Sequence, residues 1–295
     1  MGIPKRITEL AGRYSLVDTI PFQLPVTCIP SPVLMAVYPI NPDRARALLP
    51  AEVHPLRVAG KGFLIFTVIN YLGTNIGTYV EYSIAIACTH GRKPAPPLLP
   101  LLLMGHYGTG QYVLDLPVST AVSVKGGKGI WGMPKHQGNL DFKASGQRVS
   151  SQYDLDGQLV TYIEIERPAS TPLPLKMGAA NYCAFRGMLM KSSIYMSGRA
   201  GLRVFGSAKA RLVIGDHPRA AMLKSLEIGA KPIATAYIPD AVGTLDDHVE
   251  SWFLHSAAPP QTEPEGLSSV TELSRDETWL PAPTAPLQGL SFSNL

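Results

Sequence analysis

Gly127-Lys128-Gly129-Ile130-Trp131-Gly132-Met133-Pro134-Lys135-His136-Gln137-Gly138 is the stretch on which the reading of this chain turns. Its closely spaced glycines open backbone geometries closed to other residues, and Pro134 fixes φ immediately before a lysine. With an indole and a thioether alongside, the stretch predicts a shaped loop that delivers Lys135 into apolar surroundings. The same letters spell G-x-G-x-x-G, the signature of a dinucleotide-binding turn. That turn works only when its last glycine opens a helix whose N-terminus meets the pyrophosphate. Here Pro134 and Gly138 follow, and the next segments have strand patterns. A nicotinamide-dependent oxidoreductase would need a helix directly after Gly132; the pattern predicts strand.

A lysine on such a loop is either a solvated surface charge or a Schiff-base nucleophile. An ordinary lysine side chain, with pKa near 10.4, is neutral in only about one molecule in 2,500 at pH 7. Making it nucleophilic takes about 5 kcal/mol of destabilisation of the cation, which apolar burial and a neighbouring positive charge supply. Ile130, Trp131 and Met133 are the apolar material; Lys128 and a protonated His136 are the candidate cations. Schiff-base chemistry also needs a carboxylate for proton transfer and orientation. Over Thr78–Cys88, Val80, Tyr82, Ile84, Ile86 and Cys88 share one strand face, and Tyr79, Glu81, Ser83, Ala85 and Ala87 share the other. Glu81 thus sits on a face of small and polar groups that is either solvated or lines an internal pocket. It is the candidate partner.

Composition narrows the class. The chain has 295 residues, 45% hydrophobic and only 16% charged, which favours a folded protein with much buried surface. Glycine and proline, 27 residues each, punctuate it too often for a helical bundle. A formal charge of +4 without any Lys/Arg run argues against nucleic acid or an anionic membrane as partner. Cys28, Cys88 and Cys183 are odd in number and far apart, as expected in a reducing compartment. The seven histidines include no pair at zinc spacing, so neither a metal nor a cofactor is expected. No G-x-S-x-G nucleophile elbow occurs. The N-terminus lacks the apolar core of a signal peptide, and the apolar run Pro97–Met104 is about half a membrane span. The expectation is a soluble cytoplasmic protein.

Along the chain, residues 1–30 have little periodicity and read as an arm or lead-in, and Val33–Tyr38 as a buried strand. Asn41 caps a short helix that has Pro42 in its first position and ends near Leu49-Pro50. Gly62–Leu72 and Thr78–Cys88 form a hairpin, and His90–Pro100 is a proline-rich excursion. Tyr112–Leu114 and Ser119–Lys125 lead as strands into the glycine-rich loop. Beyond it comes a meander over Asn139–Ala144, Val149–Leu155 and Leu159–Ile165, turning at Ser145-Gly146 and Asp156-Gly157. Leu202–Ile214 continues the β pattern. A helix over 219–227 is opened by Asp216-His217-Pro218, and a strand covers Pro232–Ile238. The fold class is α+β, with a single domain over 1–255. From Ser256 a proline-rich segment is either a tail or an arm anchored by Trp279 and Leu280.

At Lys135 and Glu81 the sequence resembles the acetoacetate decarboxylase superfamily. That family carries G-R-E-x-x-G/A-Y/F-P-K-K-x-G, whose first lysine after the proline forms the Schiff base, and Lys135 falls on it. Gly77-Thr78-Tyr79-Val80-Glu81 resembles the family's G-x-Y-x-E, whose glutamate is a site residue. The resemblance covers about residues 25–240 and has departures. His136 stands for the second lysine and Gly129 for the glutamate of G-R-E. The arginine that serves the substrate carboxylate has no counterpart in Pro30-Ser31-Pro32. A second glutamate of the family falls at Phe66 or Thr67. The resemblance implies a large curved antiparallel sheet closing into a cone-like barrel with a few short helices, in a homo-oligomer. It implies a Schiff-base lyase of the decarboxylase type acting on a keto acid or related small carbonyl compound. Lys135 and Glu81 would be catalytic; Tyr79, Trp131, Met133 and His136 would shape the pocket. An aldolase-dehydratase using the same lysine, or a non-catalytic small-ligand barrel, is the alternative.

Overall fold

The computed structural model describes residues 4–9, 11–245 and 250–254. In chain order the main strands are β1 (Val26–Ile40), β2 (Gly62–Thr74), β3 (Gly77–His90), β4 (Gly110–Val118) and β5 (Lys135–Gln137). There follow β6 (Arg148–Leu155), β7 (Gln158–Glu166), β8 (Leu175–Phe185), β9 (Met188–Gly198), β10 (Ala210–Ile214) and β11 (Ala234–Leu245). Seven of them close a barrel in the order β11-β1-β2-β3-β4-β8-β9, with β9 returning to pair with β11. Every step is antiparallel except β4–β8. The curved antiparallel barrel with few short helices is the fold class expected.

Period-two alternation explains why the sheet closes. Leu34, Ala36, Phe66, Val68, Tyr82 and Ile84 point out of the barrel and join Val149, Tyr153 and Ile163 in the main core. Those last three belong to a second sheet, built on β6, β7 and β10, which covers that outer face. Val33, Met35, Thr67, Ile69, Glu81 and Ser83, at the intervening positions, point inward. A strand apolar on its outer face needs that face covered, and the mixed inner face can stand either in water or around a cavity.

The helix capped by Asn41 forms as predicted. In α1 (Pro42–Ala47) the Asn41 side chain accepts from the backbone N–H of Asp43 at 2.9 Å and of Arg44 at 3.3 Å. The larger surprise is α2 (Ala121–Trp131). Ser119–Lys125 was expected as a strand and the following glycines as a loop, yet both lie largely in this helix. Val122, Val124 and three glycines lower its intrinsic propensity, by about 1 kcal/mol for each glycine relative to alanine, so tertiary contacts decide the outcome. A Cβ on Gly126 would meet the Phe22 ring at 2.8 Å, and one on Gly129 would meet Val17 Cγ2 at 2.7 Å. The glycines are the places where other chain segments touch the helix. Gly132 then ends it in the left-handed region at φ +66°, its N–H bonding the carbonyls of Gly127 and Lys128.

Phe22 and Val17 belong to a hairpin, Arg13–Val17 with Ile20–Leu24, so this part of the expected lead-in is regular structure. β1 itself begins at Val26 and runs 15 residues. The β8–β9 hairpin, turning through Arg186 and Gly187 at φ of 50° and 74°, is absent from the sequence reading altogether. The predicted helix over 219–227 is shorter, a 3-10 turn Pro218–Ala220 running into Ala221–Lys224. All three cysteines are free thiols. No helix among the described residues is long and apolar enough to cross a membrane. The segment from Ser256, with Trp279 and Leu280, lies outside the described residues.

Candidate functional site

The barrel encloses a cavity of about 530 Å³. β3 turns Tyr79, Glu81 and Ser83 into it, α2 contributes Gly127 and Trp131, and Met133 follows on the linker to β5. β5 pairs parallel with the far edge of β4, Leu116 opposite Lys135, while Glu81 on β3 stands opposite Val118 of β4. The two side chains thus start two strand spacings apart and two residues out of step, about 12 Å in all, and reach across β4 to meet. Lys135 Nζ lies 2.7 Å from Glu81 Oε2. It also donates to Ser123 Oγ at 3.1 Å and sits 5.4 Å from the centre of the Tyr79 ring. Lys135 is 6% exposed and the Glu81 side chain 15%.

Gly127 is what lets the lysine lie there. A Cβ on this helix position would fall on the Lys135 side chain, 2.7 Å from its Cε. Gly127→Ala should therefore keep the fold, since alanine raises helix propensity by about 1 kcal/mol, while forcing the amine aside. A displacement of this order costs about a hundredfold in a reaction that depends on positioning. The check is the rate of carbonyl adduct formation at Lys135 set beside the melting temperature; an unchanged rate would show that the amine's position is not critical.

Five of the six expected site residues, Lys135, Glu81, Tyr79, Trp131 and Met133, line this one cavity. His136 does not. Successive residues of a strand face opposite sides, so its ring points through the barrel wall towards the second sheet. There Nε2 is 2.8 Å from the Tyr153 hydroxyl and Nδ1 is 3.4 Å from Asp115 Oδ1, with Arg219 Nη1 also 3.4 Å from that oxygen. Lys128 is buried but likewise absent from the lining, so neither cation expected beside Lys135 faces the cavity. Of the two positions aligned with the family's second glutamate, Thr67 faces the cavity and Phe66 the outer core. Ser31, where the family's arginine was sought, is fully buried, its hydroxyl accepting from Leu72 N at 3.1 Å and donating to Ile29 O at 2.8 Å.

Several cavity groups escaped the sequence reading. Tyr71 on β2 packs its ring 4.6 Å from that of Tyr79. Burial holds both phenols well above their ordinary range, and the charge of Glu81 adds to it, so both stay protonated. The Cys28 thiol is also pushed up, chiefly by burial. Asn181 and Met196 enter from the unrecognised β8–β9 hairpin. Alternation over 175–185 with the Arg186-Gly187 turn was the signal available for that pair of strands. Ser123 carried none, because its role depends on the helix that propensity argued against. Among the described residues no group of three or more His, Cys, Asp or Glu could hold a metal ion. The chain after Gly132 enters β5, not a helix, so the glycine motif has no helix N-terminus to offer a dinucleotide.

A family model described as acetoacetate decarboxylase matches residues 13–181. No curated protein sequence matches. Among solved structures, one from structural studies of acetoacetate decarboxylase superposes with a TM-score of 0.61 at 14% identity, covering 79% of this chain and 91% of that one. The acetoacetate decarboxylase of Legionella pneumophila subsp. pneumophila str. Philadelphia 1 gives 0.56 at 13% identity, over 83% and 89%. The enduracididine biosynthesis enzyme MppR, complexed with the condensation product of pyruvate and imidazole 4-carboxaldehyde, gives 0.52 at 16% identity, over 79% and 90%. At such identities the structures speak for the fold. The matched sequence segment, however, spans more than half of the chain and carries both Glu81 and Lys135, and on that ground the chain belongs to the acetoacetate decarboxylase family.

Proposed function

We propose that this protein is a carbon–carbon lyase that forms a Schiff base through Lys135. The observation that carries the reading is the 2.7 Å contact between a buried amine and a carboxylate inside an enclosed barrel. The amine first passes a proton to Glu81, and its lone pair adds to the substrate carbonyl carbon. A second amine proton moves to the carbonyl oxygen, which leaves as water with the proton held by Glu81. The resulting iminium cation faces the Glu81 carboxylate and acts as an electron sink. With a β-keto acid, the electron pair of the bond to the carboxylate moves into the iminium, releasing CO₂ and leaving an enamine. With a β-hydroxy carbonyl compound, Glu81 accepts the hydroxyl proton and the carbon–carbon pair moves the same way, releasing an aldehyde. Protonation of the enamine at carbon and hydrolysis return the free amine. Tyr79, Trp131 and Met133 shape the space around the carbonyl.

Decarboxylation is the reaction the family resemblance puts first. One observation favours aldol-type chemistry instead: Lys135 is the one cation among the described lining residues, so a substrate carboxylate has no second positive partner. The condensation product held by MppR is consistent with aldol-type chemistry on this fold. Borohydride added with acetoacetate, pyruvate or a simple ketone should reduce the iminium to a stable secondary amine on Lys135, located by peptide mass. CO₂ release and aldol product, measured separately, then divide the two lyase reactions. No trapped species with any of several carbonyl compounds would replace the enzyme with a ligand-binding barrel.

A further inference from the structure

We propose that the compound this cavity takes is an electrically neutral, largely apolar carbonyl compound of up to about eighteen non-hydrogen atoms, and not a short keto acid. The carbonyl group in this statement rests on the Schiff-base reading above, of whose two lyase reactions a neutral compound can undergo only the aldol type; the neutrality and the size rest on the cavity itself.

Charge is the first argument. Lys135 and Glu81 stand 2.7 Å apart in the lining and carry no net charge as a pair, whichever of them holds the shared proton. The remaining titratable lining groups, Tyr71, Tyr79 and Cys28, are held in their uncharged forms by burial. Conversion of the lysine to an iminium keeps its single positive charge, so the balance with Glu81 is unchanged. A substrate carboxylate would therefore stand in the cavity beside a second carboxylate with no cation to balance it. The other cations nearby do not help. Arg219 is engaged with Asp115 behind the barrel wall, and Lys128 is not among the lining residues. Of the amides that line the cavity, Gln111 Nε2 donates to Asn181 Oδ1 at 2.7 Å, and neither amide carries a charge.

Size and surface point the same way. About 530 Å³ is several times the room a keto acid as small as pyruvate fills, at about 30 Å³ for each water-sized group. Met35, Met104, Met177 and Met196 all line the cavity. Thioether side chains make an apolar wall that reshapes around a flexible chain. Met104 is also 43% exposed and follows Leu101, Leu102 and Leu103, which are exposed too. The apolar lining thus continues outward to the surface, where an apolar ligand would enter.

The test compares three carbonyl compounds on the full-length protein by calorimetry. 2-Decanone and 2-oxodecanoate share one alkyl chain and differ in a methyl group against a carboxylate, while pyruvate keeps the carboxylate and loses the chain. 2-Decanone should bind at least about tenfold more tightly than 2-oxodecanoate, and pyruvate should bind most weakly. Equal or tighter binding of 2-oxodecanoate overturns the neutrality, pyruvate binding as well as 2-decanone overturns the size, and no binding of 2-decanone overturns both. Borohydride trapping on the same samples is read separately. Tight 2-decanone binding without an adduct at Lys135 would remove the Schiff base and leave the ligand class standing.

Discussion

Replacing Lys135 by alanine should abolish the borohydride-reducible adduct and slow exchange of the α-hydrogens of a bound ketone with deuterium by at least about a thousandfold. The exchange reports enamine formation directly and needs no knowledge of the natural substrate. The substitution also strips Glu81 of the cation 2.7 Å away while leaving it 15% exposed. Leaving one member of a mostly buried pair behind should cost about 1–3 kcal/mol of stability, less to the extent that water reaches the carboxylate. Lost activity in Lys135→Ala therefore has two explanations, and Lys135→Arg separates them. A guanidinium restores the positive charge but stays protonated and cannot act as a nucleophile. Thermal stability should recover towards wild type in the arginine variant while the adduct and the exchange stay absent. An adduct of wild-type yield in either variant would move the nucleophile elsewhere and sink the assignment.

Glu81→Gln should behave differently. It keeps the shape of the side chain and removes the base, and general base catalysis contributes about 10² to 10⁴ in rate. Formation of the adduct does not strictly require this group, because water can carry the proton, so trapping at Lys135 should persist. Removal of the α-hydrogen should slow by that factor of about 10² to 10⁴. A variant that traps the ketone and no longer exchanges its hydrogens would assign proton transfer to Glu81. Exchange at the wild-type rate would reduce Glu81 to a counter-charge for the amine. Loss of trapping together with exchange, in a protein that melts as wild type does, would mean that Glu81 is needed to take the amine's proton.

Much of the site was legible in the residues because it depends on strand periodicity. Alternation over Thr78–Cys88 put Tyr79, Glu81 and Ser83 on one face, and all three reach the cavity. The same rule, applied to Lys135-His136, separates them: two adjacent residues of a strand cannot both face inward, and His136 meets Tyr153 and Asp115 instead. Ser123 and Tyr71 were out of reach for another reason. Their meaning comes from which distant segment they touch, and no local pattern carries that.

The quoted stretch shows where the division falls. By itself, the sequence determined that Lys135 follows a proline on a glycine-rich, apolar segment, and that a strand carrying Glu81 has a polar face. Local sterics and period-two geometry are enough for that. Only the tertiary structure decided that Gly126, Gly127 and Gly129 belong to a helix. Their glycines lower helix propensity in isolation, and the loss is offset by contacts that require a missing Cβ: Phe22, Lys135 and Val17 each fill the space one would occupy. Only closure of the barrel decided that the polar face of β3 looks into a largely apolar cavity and not onto an open surface. That enclosure brings a lysine and a glutamate 54 residues apart in the chain to 2.7 Å.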